Sequence, residues 1–287
     1  MKTKFKSFCL TALLMLFGQS IFAHDFEVNG IYYNITSSTY LTVSVTNNDD
    51  VNSYSGTVTI PSSVYYQDKT YNVTSIDEKA FNGCTDLISV DVPTSVTSIS
   101  AGAFWNCPSF ESMSLPFVGN GHHNESDKSH NPFGYIFGRG YYTGGTGTLQ
   151  YYDETSSTAC TTYYIPSSLK SVTIKGGGYL FNCAFYNCTD LTNIIIGEDV
   201  TGIASGAFEG CSSLVSLTLP FVGDKMHSMS ETSTFQYPFG YVFGTNNYNG
   251  SSKILQDYKG GGSIVSSTYY IPSSLRTVNK ESPIIDP

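Results

Sequence analysis

The densest group of chemistry-bearing side chains is Gly119-Asn-Gly-His122-His123-Asn-Glu125-Ser-Asp127-Lys-Ser-His130, which brings imidazoles and carboxylates close together. Divalent metal sites draw on this mixture, but the spacing matches no established zinc pattern. The chain also carries its own control. A related stretch, Gly223-Asp-Lys-Met-His227-Ser-Met-Ser-Glu231, keeps one His, so the loop reads as solvated and no metal ligand is assigned. Gly202-Ile-Ala-Ser205-Gly206 resembles a nucleophile elbow, yet the serine is one place too late. Gly138-x-Gly140 and the triplets at 176–178 and 260–262 lack the Lys-Ser/Thr or strand–helix context of a phosphate loop, and read as loop hinges. No catalytic residue, cofactor or pair of catalytic acids is singled out.

The octapeptide TYYIPSSL occurs unchanged at Thr162–Leu169 and Thr268–Leu275. Its reactive groups are hydroxyls without a His, Asp or Glu to activate them, so it reads as duplicated scaffolding. The positive signal is aromatic. Tyr141, Tyr142, Tyr151, Tyr152, Tyr248 and Tyr258 stand among Gly, Ser, Thr and Asn, the composition of adaptable binding loops. They are the candidate ligand contacts; the competing reading is that their rings pack the loops down.

The elements behind these loops come from a repeat. Residues 73–95, VTSIDEKAFNGCTDLISVDVPTS, align without gaps on residues 96–118, VTSISAGAFWNCPSFESMSLPFV, and the pattern returns from Leu180 to Leu219. Reduced to its apolar positions, the 23-residue unit is V-x-x-I-x-x-x-A-F-x-x-C-x-x-L-x-x-V-x-V-P. L-x-x-V-x-V ends in the alternation of a strand buried on one face. A-F-x-x-C has the spacing of one short helical turn. Pro93, Pro116 and Pro220 close their strands, having no N–H to continue a ladder. One such unit is too small to fold alone, so stacking must supply its cover.

Cys84, Cys107, Cys188 and Cys211 recur with the unit and read as small buried hydrophobes; Cys160 and Cys183 fall outside it, and a bridge between them is left open. Ile165-Pro-Ser-Ser-Leu-Lys-Ser-Val172 has the form of Val92-Pro-Thr-Ser-Val-Thr-Ser-Ile99, so TYYIPSSL is assigned to the strand-to-corner element. Between regular coils lie two excursions, each with a polar loop, PFGYIFG (132–138) or PFGYVFG (238–244), and a second loop returning to TYYIPSSL. The aromatic segments should pack each excursion back onto the stack while the variable parts face water.

Residues 1–23 read as a secretory leader, with Lys2, Lys4 and Lys6 ahead of an apolar run that ends at Ala23. Loss of that leader, with three lysines and no acid, would take the net charge from −9 to −12. Such a balance disfavours nucleic acid and anionic lipid, and no later stretch is long enough to span a bilayer. Residues 24–72 are β-rich and read as an N-terminal β cap; residues 73–287 form the repeat region, with larger units at 96–174 and 200–280. At the other end the chain stops at Pro287 soon after a corner motif, so either Asn279–Pro287 covers the last coil or the chain is incomplete. The expected fold class is a repeat solenoid, β-rich with short helical turns and two long loop-bearing coils.

Period, A-F-x-x-C and closing Pro together resemble the BspA-type leucine-rich repeat, over nearly everything from Phe26 to Val278. FEVNGIYYNI, VTIPSSV and KTYNVTSI are similar to the leader segment that often precedes such repeats. The resemblance implies a secreted or cell-surface, non-enzymatic, adhesin-like protein that binds a protein or glycan of host matrix or other cells. It implies no catalytic residues. The alternatives are an exported glycan-active hydrolase and the display or spacer part of a longer surface protein.

Overall fold

The computed structural model describes residues 24–50, 52–127, 130–152, 158–226, 237–260 and 263–280. The leader at 1–23, His227 and Glu231 of the second polar loop, and the segment after Lys280 lie outside the described residues.

Seven strands form one parallel sheet: Gly56–Thr59, Leu87–Asp91, Ser112–Leu115, Ser171–Ile174, Asn193–Ile196, Ser216–Leu219 and Thr277–Lys280. Their spatial order is their chain order, so each coil adds one strand beside the last. Alternation sends Val90, Met113, Val172, Ile194 and Leu217 inward as one in-register row. The adjacent outward row is Thr57, Ser89, Ser112, Ser171, Asn193, Ser216 and Thr277. Shorter parallel pairs mark the opposite side of the coils: Lys69–Ile76 with Ser98–Ile99, and Gly178–Leu180 with Val200–Ile203. The result is a β-rich leucine-rich repeat fold. Among the described residues, no helix is long and apolar enough to cross a membrane.

The A-F-x-x-C corner is not the helical turn its spacing suggests. Each corner has two left-handed residues four apart: Lys79 and Gly83, Gly102 and Asn106, Cys183 and Asn187, Gly206 and Gly210. A left-handed residue stops right-handed helix propagation, so the chain makes successive tight turns instead. Backbone bonds tie corner to corner, as from Phe81 N–H to the Ala103 carbonyl and from Phe185 N–H to the Ala207 carbonyl, each 2.8 Å. The cysteine thiols join in: Cys107 donates to the Phe81 carbonyl at 3.0 Å, and Cys211 to that of Phe185 at 3.2 Å.

Inside the corners runs an aromatic column. Ring centroids are 4.5 Å apart for Tyr54 and Phe81, 4.8 Å for Phe81 and Phe104, and 6.3 Å for Phe104 and Phe137. It continues at 5.2 Å to Phe133, 5.0 Å to Phe185, 5.6 Å to Phe208 and 6.2 Å to Phe243. Phe133–Phe137 and Phe239–Phe243 are short 3-10 helices that take the corner's place in the two long coils. The bonds from Phe104 N–H to Ile136 O and from Phe133 N–H to Ala184 O, both 2.9 Å, hold the first between regular corners. At the N-terminal end Phe26–Val28, Ile31–Ser37 and Thr42–Thr46 make an antiparallel run, and Thr42–Thr46 pairs in parallel with Lys69–Ile76. Tyr54 lies beyond Phe81, its hydroxyl donating to the Thr46 carbonyl.

TYYIPSSL is scaffolding, but it sits elsewhere than its apolar spacing indicates. Leu169-Lys-Ser-Val172-Thr-Ile174 is the L-x-x-V-x-V element leading into the parallel sheet, since Val172 pairs with Met113 and Ile194. Pro166 and Pro272 therefore stand where other coils have Cys. The turn bond shows it directly: Leu169 N–H donates to Pro166 O at 3.0 Å and Leu275 N–H to Pro272 O at 3.1 Å, as Leu87 does to Cys84 at 3.3 Å.

Candidate functional site

Each returning loop is half of a β-hairpin. Gly145–Tyr151 pairs antiparallel with Cys160–Pro166, and Ser251–Gly260 with Ser263–Pro272. The two are in equivalent register, with Leu149 opposite Thr162 and Leu255 opposite Thr268. Gln150 fastens the first hairpin inward. Its side-chain oxygen accepts from Gly134 N–H at 2.7 Å, and its amide donates to the Tyr186 carbonyl at 2.7 Å. Gln256 makes the equivalent 2.7 Å bond to Gly240 N–H.

The six tyrosines do not share one environment. Tyr141 is 71 % exposed and edges against Tyr164, and Tyr152 is also exposed. Tyr151 lies edge-on to Tyr186 and Tyr258 beside Tyr237; both are half-buried. Tyr142 is only 6 % exposed, and its hydroxyl, like that of the equivalent Tyr248, is enclosed. Burial pushes both phenols well above their ordinary range.

The histidine loop is less solvated than its composition suggests. Residues 124–126 are exposed, but His130 is buried with its ring 3.5 Å from that of Phe181, and His122 Nδ1 lies 2.8 Å from the Gly177 carbonyl. Burial pulls the His123 imidazole below its usual range against the opposing pull of Asp127. Among the described residues no group of three or more His, Cys, Asp or Glu is placed to hold a metal. Gly176 and Gly177 are close-approach positions, where a Cβ would lie 2.2 Å from the Pro116 carbonyl oxygen and 2.8 Å from that of Asp199, while Gly178 takes a φ of +117°.

The four recurrent cysteines are buried, and burial raises their thiols, Cys84 to about 11 and Cys211 to about 12. Thiols held so far above neutral pH are not nucleophiles. No disulfide forms among the described cysteines.

Among the described residues, recesses open beside the excursions, and two of them are lined by aromatic and charged side chains together. One, of about 430 Å³, is lined by His123, Glu125, Tyr179, Asp224, Lys225 and Tyr237, among others. The other, of about 410 Å³, is lined by Glu78, Lys79, Trp105, Tyr135, Arg139 and Tyr163, with the backbone of Gly102, Gly138 and Gly140. The Trp105 indole N–H donates to the Gly140 carbonyl at 2.8 Å, and the Arg139 guanidinium sits 5.8 Å from the Tyr163 ring centre. In the second excursion Glu209 and Asn246 occupy the places of Trp105 and Gly140. There the Asn246 amide donates to both Glu209 carboxylate oxygens, at 3.0 and 3.1 Å. Glu209 is buried, and burial raises its carboxyl although Asn246 opposes the shift. The sequence reading missed Trp105 and Arg139. The signal available was composition: the chain has one tryptophan.

On the sheet face, Asp91 accepts from Ser114 and from Lys175, which come from successive coils. Burial alone would raise the Asp91 carboxyl; these two donors and the Lys175 charge outweigh it and hold the group below its ordinary value.

The family model for the BspA type leucine-rich repeat region matches six copies, at residues 57–120 and 156–238, just over half of the chain. No curated protein matches. Among solved structures, a leucine-rich repeat protein from Bacteroides ovatus is 24 % identical, with 69 % of this chain and 48 % of that chain covered and a TM-score of 0.35. A leucine rich cell surface protein from Faecalibacterium prausnitzii is 20 % identical, with 89 % and 42 % covered and a TM-score of 0.32. A leucine-rich repeat protein of T. pallidum is 21 % identical, with 68 % and 71 % covered and a TM-score of 0.34. The chain spans about half the length of the first two.

Proposed function

The chain belongs to the BspA-type leucine-rich repeat family, and from that premise we propose that it is an exported, surface-displayed, non-enzymatic binding protein for a protein or glycan of host matrix or other cells. In this reading residues 1–23 direct export and residues 24–72 cap the first coil. The observation that carries it is how the side chains are spent. Recurrent Phe, Cys, Leu and Val cover one another inside the stack, while a regular Ser/Thr/Asn face and two hairpins are turned outward. A stable protein partner needs roughly 800 Å² per side, which a sheet face of this extent can supply.

Of the six tyrosines, Tyr141 and Tyr152 are the ones exposed enough to touch a ligand directly. Residues 24–287 should be captured by immobilised matrix proteins or by members of a glycan array. Replacing Tyr141 and Tyr152 together with Ala should weaken that capture without lowering the melting temperature. Undiminished capture by the double variant would take the hairpin tyrosines out of the interaction.

A further inference from the structure

The Trp105 recess combines groups that seldom meet in this chain. It holds the chain's one tryptophan and two cations, Lys79 and Arg139, in a protein whose formal charge is −9. Its volume of about 410 Å³ lies within the about 300–1,000 Å³ of small-ligand sites. Trp105 and Tyr135 offer aromatic carbon, which covers the C–H face of a pyranose ring. Arg139 is exposed with its guanidinium 5.8 Å from the Tyr163 ring centre, and its five N–H groups are enough to serve a planar carboxylate as well as that neighbour. Glu78, 3.9 Å from Lys79 and exposed, can accept from ring hydroxyls. We propose that this recess binds a sugar acid, a pyranose bearing one carboxylate, as in the sialic and uronic acids. The assignment deepens the binding reading above and rests on it.

Two physical points favour a carboxylate over its competitors. Lys79 and Arg139 against Glu78 leave the recess one net positive charge, which a neutral sugar would not balance, a monoanion would balance and a dianionic phosphate would overshoot. The negative charge of the whole molecule is screened over roughly 8–10 Å in physiological salt, so contacts inside the recess decide the outcome. The second excursion supports the assignment by contrast. Its equivalent place is filled by the Glu209 carboxylate and the Asn246 amide, with Thr245 where Arg139 stands. That arrangement would repel an acid.

Trp105 reports on its own site, because its emission is the tryptophan emission of the whole chain. Titrating N-acetylneuraminic acid or glucuronic acid into residues 24–287 should shift or quench that emission saturably. Glucose should need at least about tenfold higher concentration, the loss expected from one charge-assisted contact. Arg139→Gln should lose the same factor, Arg139→Lys should recover part of it, and neither should change the melting temperature, since Arg139 is exposed. Emission that neither acid moves, or equal responses to acid and glucose, or an Arg139→Gln variant that titrates like the parent, would each overturn the assignment. If capture on matrix proteins or arrays persists while Trp105 stays silent, the recess assignment alone falls. If capture is absent as well, the binding reading falls with it.

Discussion

The two excursions carry the same octapeptide in the same hairpin register, yet their surroundings differ. In the first, the coil from Leu180 to Ile196 lies directly over the hairpin and its strand: Val172 is fully buried, Gln150 is fully buried, and Phe133 packs on Phe185. Among the described residues, which end at Lys280, the second has no such covering coil. Val278, the counterpart of Val172, is 48 % exposed, and Leu255 is 68 % exposed against 43 % for its counterpart Leu149. Like sequences thus acquire unlike burial. What stabilises a rung is the neighbour laid upon it more than the rung's own residues, as expected where contacts run only between adjacent repeats.

The contrast should be largest at Phe133. Phe133→Ala ought to cost about 3–5 kcal/mol by denaturant unfolding, whereas Phe239→Ala, at a half-buried counterpart, ought to cost distinctly less. Equal losses would mean that the covering coil contributes nothing. Next comes Gln150→Ala, which orphans Gly134 N–H and the Tyr186 carbonyl in a sealed interior and should lose about 1–3 kcal/mol. Gln256→Ala, at a half-buried position, should fall below that loss.

The corner residues set the excursions apart in their pH response. Glu209 has a raised pKa in the folded protein, so the native state binds its proton more tightly than the unfolded chain does. Its contribution to stability is fully present below the unfolded carboxylate value and is lost as pH rises through the raised one. Glu209→Gln should flatten that part of the melting-temperature profile. Asp91 runs the other way, being depressed, and its contribution fades as pH falls through its folded value; Asp91→Asn should remove that acid-side loss. The smallest effect concerns Cys183, left-handed where the next corner has Gly206. Cys183→Gly should gain up to about 1 kcal/mol by relieving the strain, less the entropy glycine forfeits.

The 23-residue period was legible because Phe81, Phe104, Phe185 and Phe208 are buried for one repeated reason, each covering the ring of a neighbouring coil. The placement of TYYIPSSL was not. Leu-x-x-Val before a sheet strand and Val-x-x-Ile before a corner share one spacing, and only the Val172-Thr-Ile174 alternation tells them apart. The corner's handedness was equally hidden, because Lys79 and Cys183 adopt a conformation their residue types do not advertise. Tyr142 and Tyr248 sit among small polar residues like any surface tyrosine, and only the folded coil encloses them. The Trp105 recess draws on Glu78, Trp105 and Arg139 from three different coils, a proximity no local pattern encodes.

The 3-10 helix Phe133–Phe137 carries an implication for how such a chain can change. Because it occupies one corner's slot, Ser112 and Ser171 remain direct neighbours in the sheet despite the whole excursion between them. Sideways growth is thereby uncoupled from lengthwise growth. Appendages can be grafted, extended or exchanged at this point while the spacing of the underlying ladder stays as it was.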